Sequence, residues 1–404
     1  MPNNYAFREQ LPVAPLKIAA LESCKELAKK VDEYIVSFRQ NDIKELEKRQ
    51  ENLHYRGYDA ASYLMDIACP RFGTGEAKGV INESARGSDI FVMVDVMNHS
   101  LNYTVNGFHN HMSPDDHFQD LKRIIAASVS TAHRVNVIMP FLYESRQHKR
   151  TKRESLDCAC ALEELVNMGV SNIITFDAHD PRVQNSIPLH GFDNFMPTYH
   201  FVKALFNNID DLIIDKEHLM VISPDEGAMN RAVYLANNLG VDMGMFYKRR
   251  DYSRVVDGRN PIVAHEFLGS SVEDKVVIIM DDMIASGESM LDTAKELKDR
   301  KAKKVIVCAT FGLFTNGLSK FDEFHRAGYI DYVCTTNLNY RDPEIFTKEW
   351  YIEADLSKYL AAIINSFNHD VPIGTVLSPT YKLQKIVKSI NSKQDGYEYF
   401  DTIS

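Results

Sequence analysis

The chain has 404 residues, enough for two or three domains of roughly 150 residues each. Apolar residues supply 45% and charged residues 25%, proportions that exclude a disordered chain or a disulfide-stapled mini-fold as the main description. A formal net charge of −10, with no apolar run near the 18 or so residues of a membrane span, argues against a globally basic nucleic-acid binder and against a membrane protein.

The N-terminus lacks the basic-then-apolar order of a signal peptide, and the six cysteines form no CxxC. Reduced thiols in a cytoplasmic protein are therefore expected. Residues 36–60 are rich in charge and poor in apolar side chains, and read as an exposed helical insertion. Segment 97–117 holds His99, His109, His111 and His117; the spacing fits no zinc pattern, so a polar surface loop is expected there, with a metal site as the alternative. Residues 135–141 read as a strand, followed by a basic loop and a helix over 155–168 ended by Gly169. Strands follow at 172–176 and 219–222, then a helix with Met229, Ala232, Val233 and Ala236 on its spacing and Gly240 at its end. Further strands are read at 241–247, 276–280 and 304–310, with a helix carrying Met290, Ala294 and Leu297 between the last two. Apolar strands alternating with helices predict βαβ units and parallel sheets covered on both faces. Ligands of such sheets bind beyond the carboxyl ends of the strands, which directs attention to the loops after residues 141, 176, 222, 247 and 280.

The most informative stretch is VVIIMDDMIASGESM, residues 276–290. A buried strand leads into Asp281 and Asp282, and Ala285, Ser286, Gly287, Glu288 and Ser289 then open a helix. A helix start offers unpaired N–H groups and partial positive charge to a phosphate, and the serine hydroxyls add donors. The two carboxylates suit the hydroxyls of an attached sugar, or a divalent cation. The pattern reads as a sugar-phosphate cradle; the plainer alternative is a helix capped by Ser286 or Ser289.

These residues resemble the phosphoribosyl-diphosphate-binding motif of phosphoribosyltransferases and of ribose-phosphate diphosphokinases. Other segments favour the second group. Arg71–Glu76 (RFGTGE) is similar to its RFSDGE adenine-binding segment, followed by ESARGSDIFV at 83–92. VNVIMPFLYESRQHKR at 135–150 resembles the strand and loop with the family's Arg-Gln pair, and ITFDAHDPRVQ at 174–184 its DLHAxQxQ segment. VISPDEGAMNRA at 221–232 looks like SPDxGGxxRA, and YKRRD at 247–251 like the start of the flexible catalytic loop. The blocks keep the family's order over roughly residues 16–370.

The resemblance implies an α/β fold of two tandem phosphoribosyltransferase-like domains, each a mostly parallel sheet flanked by helices. They are placed at 1–197 (ATP side, with the insertions near 36–60 and 97–117) and 198–404 (ribose 5-phosphate side, with a C-terminal extension from about 371). It implies transfer of the diphosphoryl group of Mg-ATP to the 1-hydroxyl of ribose 5-phosphate, with 5-phosphoribosyl 1-diphosphate and AMP as products. Its further implication is a homo-oligomer, dimer or hexamer, with the ATP site at a subunit interface. Residue by residue, Lys248 and Arg250 would be catalytic, Phe72, Thr74, Gly75, Glu76, Arg146 and Gln147 would bind ATP, and His179 and Asp225 would ligate Mg²⁺. Asp281, Asp282 and the 285–289 loop would bind ribose 5-phosphate. Read without the family, Lys248-Arg249-Arg250 could be a solvated strand end, and the basic run at 146–153 a nucleic-acid patch. Thr74 stands where the family has Asp, Ala285 replaces an Asp, and Ala228 and Glu288 replace glycines. These departures motivate a second reading, a catalytically silent regulatory homologue; a phosphoribosyltransferase acting on a base is the third.

Overall fold

The computed structural model describes residues 10–49, 55–250 and 262–376, with Leu383 and Ile386. The chain divides into two compact units: Met1–Met196 with Asn337–Tyr340 and Leu356–Leu377, and Pro197–Thr336 with Arg341–Asp355 and Ser378–Ser404. Its main helices are α1 (Lys25–Lys48), α2 (Pro114–Ser128), α3 (Asp157–Asn167), α4 (Thr198–Asn208), α5 (Met229–Leu239), α6 (Glu288–Asp299), α7 (Ser319–Arg326) and α8 (Ser357–Asn368).

In the first unit the strands are β1 (Leu16–Ala20), β2 (Ile67–Ala68), β3 (Val80–Ile81), β4 (Asp89–Met93), β5 (Asn102–Val105), β6 (Phe108–His111), β7 (Arg134–Ile138), β8 (Asn172–Phe176) and β9 (Gly191–Phe195). Its sheet has the order β1-β4-β7-β8-β9, parallel throughout. All five residues of β4 are buried, Asp89 among them. That carboxylate is tolerated because Arg134 grips it with two hydrogen bonds of 2.8 Å.

Two expectations change here. The segment 36–60 is not simply an exposed insertion. Its described start continues α1, whose buried stripe runs Leu27, Ala28, Val31, Ile35, Arg39 and packs on α8. Arg39 is 1% exposed. Its guanidinium lies 4.6 Å from the ring centres of Tyr58 and Tyr63 and donates to Asn365 and Asn368. Segment 97–117 is not a loop either. β5 and β6 form an antiparallel hairpin turned by Asn106 and Gly107, both at positive φ, as a two-residue Asn-Gly turn requires. Ser113 and Asp116 then cap α2 reciprocally. His117 is buried, 2.7 Å from the Asn98 carbonyl, and burial pushes its pKa down.

The second unit has β10 (Leu219–Ser223), β11 (Asp242–Arg250), β12 (Ile262–Leu268), β13 (Val276–Ile284), β14 (Lys304–Gly312), β15 (Tyr332–Thr336) and β16 (Tyr351–Ala354), in the order β12-β11-β10-β13-β14-β15-β16. Only β12 runs antiparallel to its neighbour. One face packs Val277, Ile279, Val305, Val307 and Val333 against Leu291, Ala294 and Leu297 of α6 and Phe321 of α7. β13 and β11 outrun by several residues the lengths read from their apolar runs. β13 continues to Ile284 because β14 stays beside it, Asp281 opposite Ala309 and Met283 opposite Phe311. β11 continues to Arg250 because β12 supplies partners as far as Ile262.

Candidate active site

In the second unit, the segment expected to be the cradle joins β13 to α6. Asp281 and Asp282 lie inside the strand rather than after it. The Asp282 carboxylate is buried and faces the Arg231 guanidinium at 3.8 Å. The Asp281 carboxylate accepts the Asp282 N–H at 2.9 Å, and its pKa is raised well above the ordinary carboxylate range. Burial is the main cause, followed by the negative charge of Asp282 and then of Asp225. Hydrogen-bond donors from a sugar, or a cation, would relieve that crowding.

Gly287 is the N-cap of α6, at φ +80°, so neither Ser286 nor Ser289 occupies the cap position. A side chain at Gly287 would have no room, since a Cβ there would lie 2.4 Å from Cζ of Phe321. Ala285 accepts a backbone bond from Thr315 at 2.9 Å, which ties the loop down. Glu288 is turned to Lys320, Oε1 to Nζ 3.0 Å. The Glu288 carboxylate is thus paired within this unit.

The loop after β10 is shaped by Asp225, whose Oδ1 accepts the N–H groups of Gly227 and Ala228 at 2.9 and 3.2 Å. Ser223 donates to the Asp225 carbonyl at 2.6 Å, and Arg231 reaches back to the Gly227 carbonyl at 3.4 Å. Asp225, Arg231, Asp281 and Asp282 therefore form one charged cluster at the carboxyl ends of β10 and β13. Lys248 and Arg250 occupy the end of β11, opposite His265 and Ile262; their side chains lie outside the described part of the structure.

In the first unit, the loop after β7 carries Arg146, exposed, and Gln147, whose amide donates to the carbonyls of Lys149 and Ser155 at 3.2 and 2.8 Å and holds the loop in shape. After β8, Asp177 turns the chain at φ +42° and leads to His179. The His179 ring lies 5.4 Å from that of His148, which brings the two loops together. Asp180 is held by Arg182 through several hydrogen bonds and caps the turn that follows. The Arg182 bonds pull the Asp180 pKa down to about 2, so it is an occupied carboxylate. Phe72, Thr74, Gly75 and Glu76 lie elsewhere, at the tip of the hairpin built on β2 and β3 and closed by the Arg71–Ala77 bridge. Phe72 is 52% exposed, and Thr74 donates to the Glu76 carboxylate at 2.9 Å.

Among the described residues no group of three or more His, Cys, Asp or Glu side chains is gathered to hold a metal. Mg²⁺ does not demand one, because it commonly takes one or two side chains and fills its shell with substrate phosphates and water. The mutually repelling carboxylates of Asp281 and Asp282 near Asp225 fit such a partial shell. Among the described residues no helix is long and apolar enough to cross a membrane.

Sequence reading missed Arg231 as the partner of Asp282, His148 as the neighbour of His179, and the Glu288–Lys320 pair. Arg231 and His148 stand inside motifs already recognised, NRA and RQH, so position in the motif was the available signal. Lys320 carries none.

The family model for the N-terminal domain of ribose phosphate pyrophosphokinase matches residues 16–169, and the phosphoribosyl transferase domain model matches 196–333. A ribose-phosphate pyrophosphokinase from Mycoplasma genitalium is 30% identical over 275 residues, 67% of this chain and 74% of that one. One from Thermotoga maritima is 30% identical over 256 residues, 63% and 73% of the two chains. The crystal structure of phosphoribosylpyrophosphate synthetase from Mycobacterium smegmatis shares the fold, with a TM-score of 0.67 at 20% identity over 88% of this chain and 99% of that one. With two domain models matched in order and relatives at this identity aligned over most of their length, the chain belongs to the ribose-phosphate pyrophosphokinase family.

Proposed function

We propose that the protein transfers the diphosphoryl group of Mg-ATP to the 1-hydroxyl of ribose 5-phosphate, giving 5-phosphoribosyl 1-diphosphate and AMP. The observation that carries this reading is the start of α6, entered through Gly287 at positive φ and placed directly behind the paired carboxylates of Asp281 and Asp282. The helix start takes the 5-phosphate, with Ser286, Gly287 and Ser289 around it. Asp281 and Asp282 accept hydrogen bonds from the ribose hydroxyls, and Arg231 holds Asp282 in place. This fixes the sugar so that its 1-hydroxyl can attack the β-phosphorus. Phe72, Thr74, Gly75 and Glu76 take the adenine, while Arg146 and Gln147 contact the nucleotide.

Diphosphoryl transfer needs alignment and neutralisation more than covalent help. Lys248 and Arg250 supply cations to the charge developing on the transferred group. The proposed Mg²⁺ ligands are His179 in the first unit and Asp225 in the second; Mg²⁺, when bound to the ATP phosphates, neutralises their oxygens. The same reading has the protein act in the cytoplasm as a homo-oligomer, dimer or hexamer, with the ATP site at a subunit interface; sedimentation of the pure protein measures the assembly.

Incubating the protein with ATP, Mg²⁺ and ribose 5-phosphate and measuring AMP tests the function. Absence of AMP over a range of Mg²⁺ and phosphate concentrations would overturn it in favour of the regulatory homologue. Two observations weigh against that alternative: Glu288 is paired with Lys320, and Thr74 with Glu76, so neither departure leaves an unneutralised or unsatisfied group in the segments concerned.

A further inference from the structure

We infer that the β5–β6 hairpin is part of the nucleotide site, with Phe108 a stacking surface for the nucleobase and Tyr103 and Val105 positioning the segment 71–76. This rests on the reading that 72–76 receives the adenine. The hairpin lies outside every segment that carries the resemblance to the family.

The geometry is specific. The register sets Tyr103 opposite Asn110 and Val105 opposite Phe108, so these four share one face of the hairpin. Tyr103, Val105 and Asn110 are half-buried, whereas Asn102, Thr104, His109 and His111 on the other face are exposed. The half-buried face lies against the 71–76 segment. The Arg71 guanidinium is 5.1 Å from the centre of the Tyr103 ring, and a Cβ on Gly75 would lie 3.2 Å from Cγ2 of Val105. Arg71 is also bonded to Asp120 of α2 at 2.9 Å, so the base of the segment is gripped from two sides.

Phe108 breaks the pattern of its face. It stands beside Val105, yet it is 72% exposed. Most of the phenyl ring is free to take a stacking partner, and the neighbouring Gly75–Val105 contact places it next to the segment assigned to the base. A purine is a flat partner for such a ring. The second exposed aromatic of the neighbourhood is Phe72, at 52%, on the 71–76 segment itself.

The test compares wild type with Phe108→Ala, Phe108→Trp and Tyr103→Ala. AMP binding is measured by titration calorimetry, together with KM for ATP and for ribose 5-phosphate, inhibition by inorganic tripolyphosphate, and the melting temperature. Phe108→Ala should weaken AMP and raise KM for ATP about tenfold, the scale of one lost base–aromatic stack. Tripolyphosphate inhibition, KM for ribose 5-phosphate and the melting temperature should not move. Phe108→Trp should restore AMP binding. Tyr103→Ala should raise KM for ATP without changing that for ribose 5-phosphate.

Normal turnover with AMP binding unchanged in Phe108→Ala would overturn this inference and leave the proposed function intact. Equal loss of AMP and tripolyphosphate affinity, or failure of Phe108→Trp to restore binding, would overturn it too. A wild-type protein that binds AMP through Phe108 but forms no product from ribose 5-phosphate would remove the proposed function and keep the subsite. A wild type that neither binds AMP nor turns over ends both.

Discussion

Gly287→Ala is the sharpest probe of the cradle, because the cost can be worked from contacts. The residue sits at φ +80°, where an L side chain costs roughly 1 kcal/mol. The new methyl would also lie 2.4 Å from Cζ and 2.7 Å from Cε2 of Phe321. That ring cannot step aside easily. It is fully buried, stacked on Trp350 at 5.6 Å and met edge-on by Phe314 at 5.1 Å. Overpacking of this kind costs about 1–3 kcal/mol. A total near 3 kcal/mol would lower the melting temperature by roughly 6–12 °C for a domain of this size. Backbone N–H groups at the head of α6 would shift with the loop, so KM for ribose 5-phosphate should rise while KM for ATP stays. Scanning calorimetry and initial rates measure both. Phe321→Leu, made together with Gly287→Ala, should recover part of the stability, since a shorter side chain vacates the ring edge. A melting temperature within about 1 °C of wild type, or no coupling between the two changes, would refute the packing argument.

Asp281→Asn should raise stability at neutral pH and lower kcat/KM. The folded pKa of Asp281 lies above its unfolded value, so the folded state binds more protons in between, and stability is lost as pH rises through that window. Asn removes this slope while keeping an acceptor for the Asp282 N–H; melting temperatures from pH 4 to 8 that run parallel to wild type would contradict it. Lys320→Ala should raise KM for ribose 5-phosphate by at most about fivefold, because it frees Glu288 beside the helix start and an exposed pair is worth no more than about 1 kcal/mol; adding Glu288→Ala should reverse the effect. Lys248→Ala should cut kcat about 10³-fold or more with ATP binding retained, and a loss of only a few-fold would exclude Lys248 from charge neutralisation. Asp225→Asn keeps the acceptor for Gly227 and Ala228 but not the charge, so its Mg²⁺ midpoint should rise at an unchanged melting temperature; Asp225→Ala should lose both.

Much of this protein could be read from local sequence. LMVIS and VVIIM are apolar without interruption, and they became strands buried on both faces. Gly240 and Gly169 ended their helices at positive φ, as their position after an apolar stripe required. The family was also legible, because its motifs are short runs of residues close together in the chain.

Tertiary structure alone decided what depends on distant partners. The strand β13 passes through Asp281 and Asp282 because β14 accompanies it, and apolar periodicity has no term for a neighbour's length. The charged segment after residue 36 hides Arg39 because two tyrosines and two asparagines, two of them more than 320 residues away in sequence, satisfy the guanidinium. The histidine-rich stretch separated into a hairpin and a buried His117 once Asn98 and α2 came together. Glu288, which alone would repel a phosphate, is answered by Lys320 of α7. In each case a local pattern states what a side chain can do, and the fold supplies the partner that decides what it does.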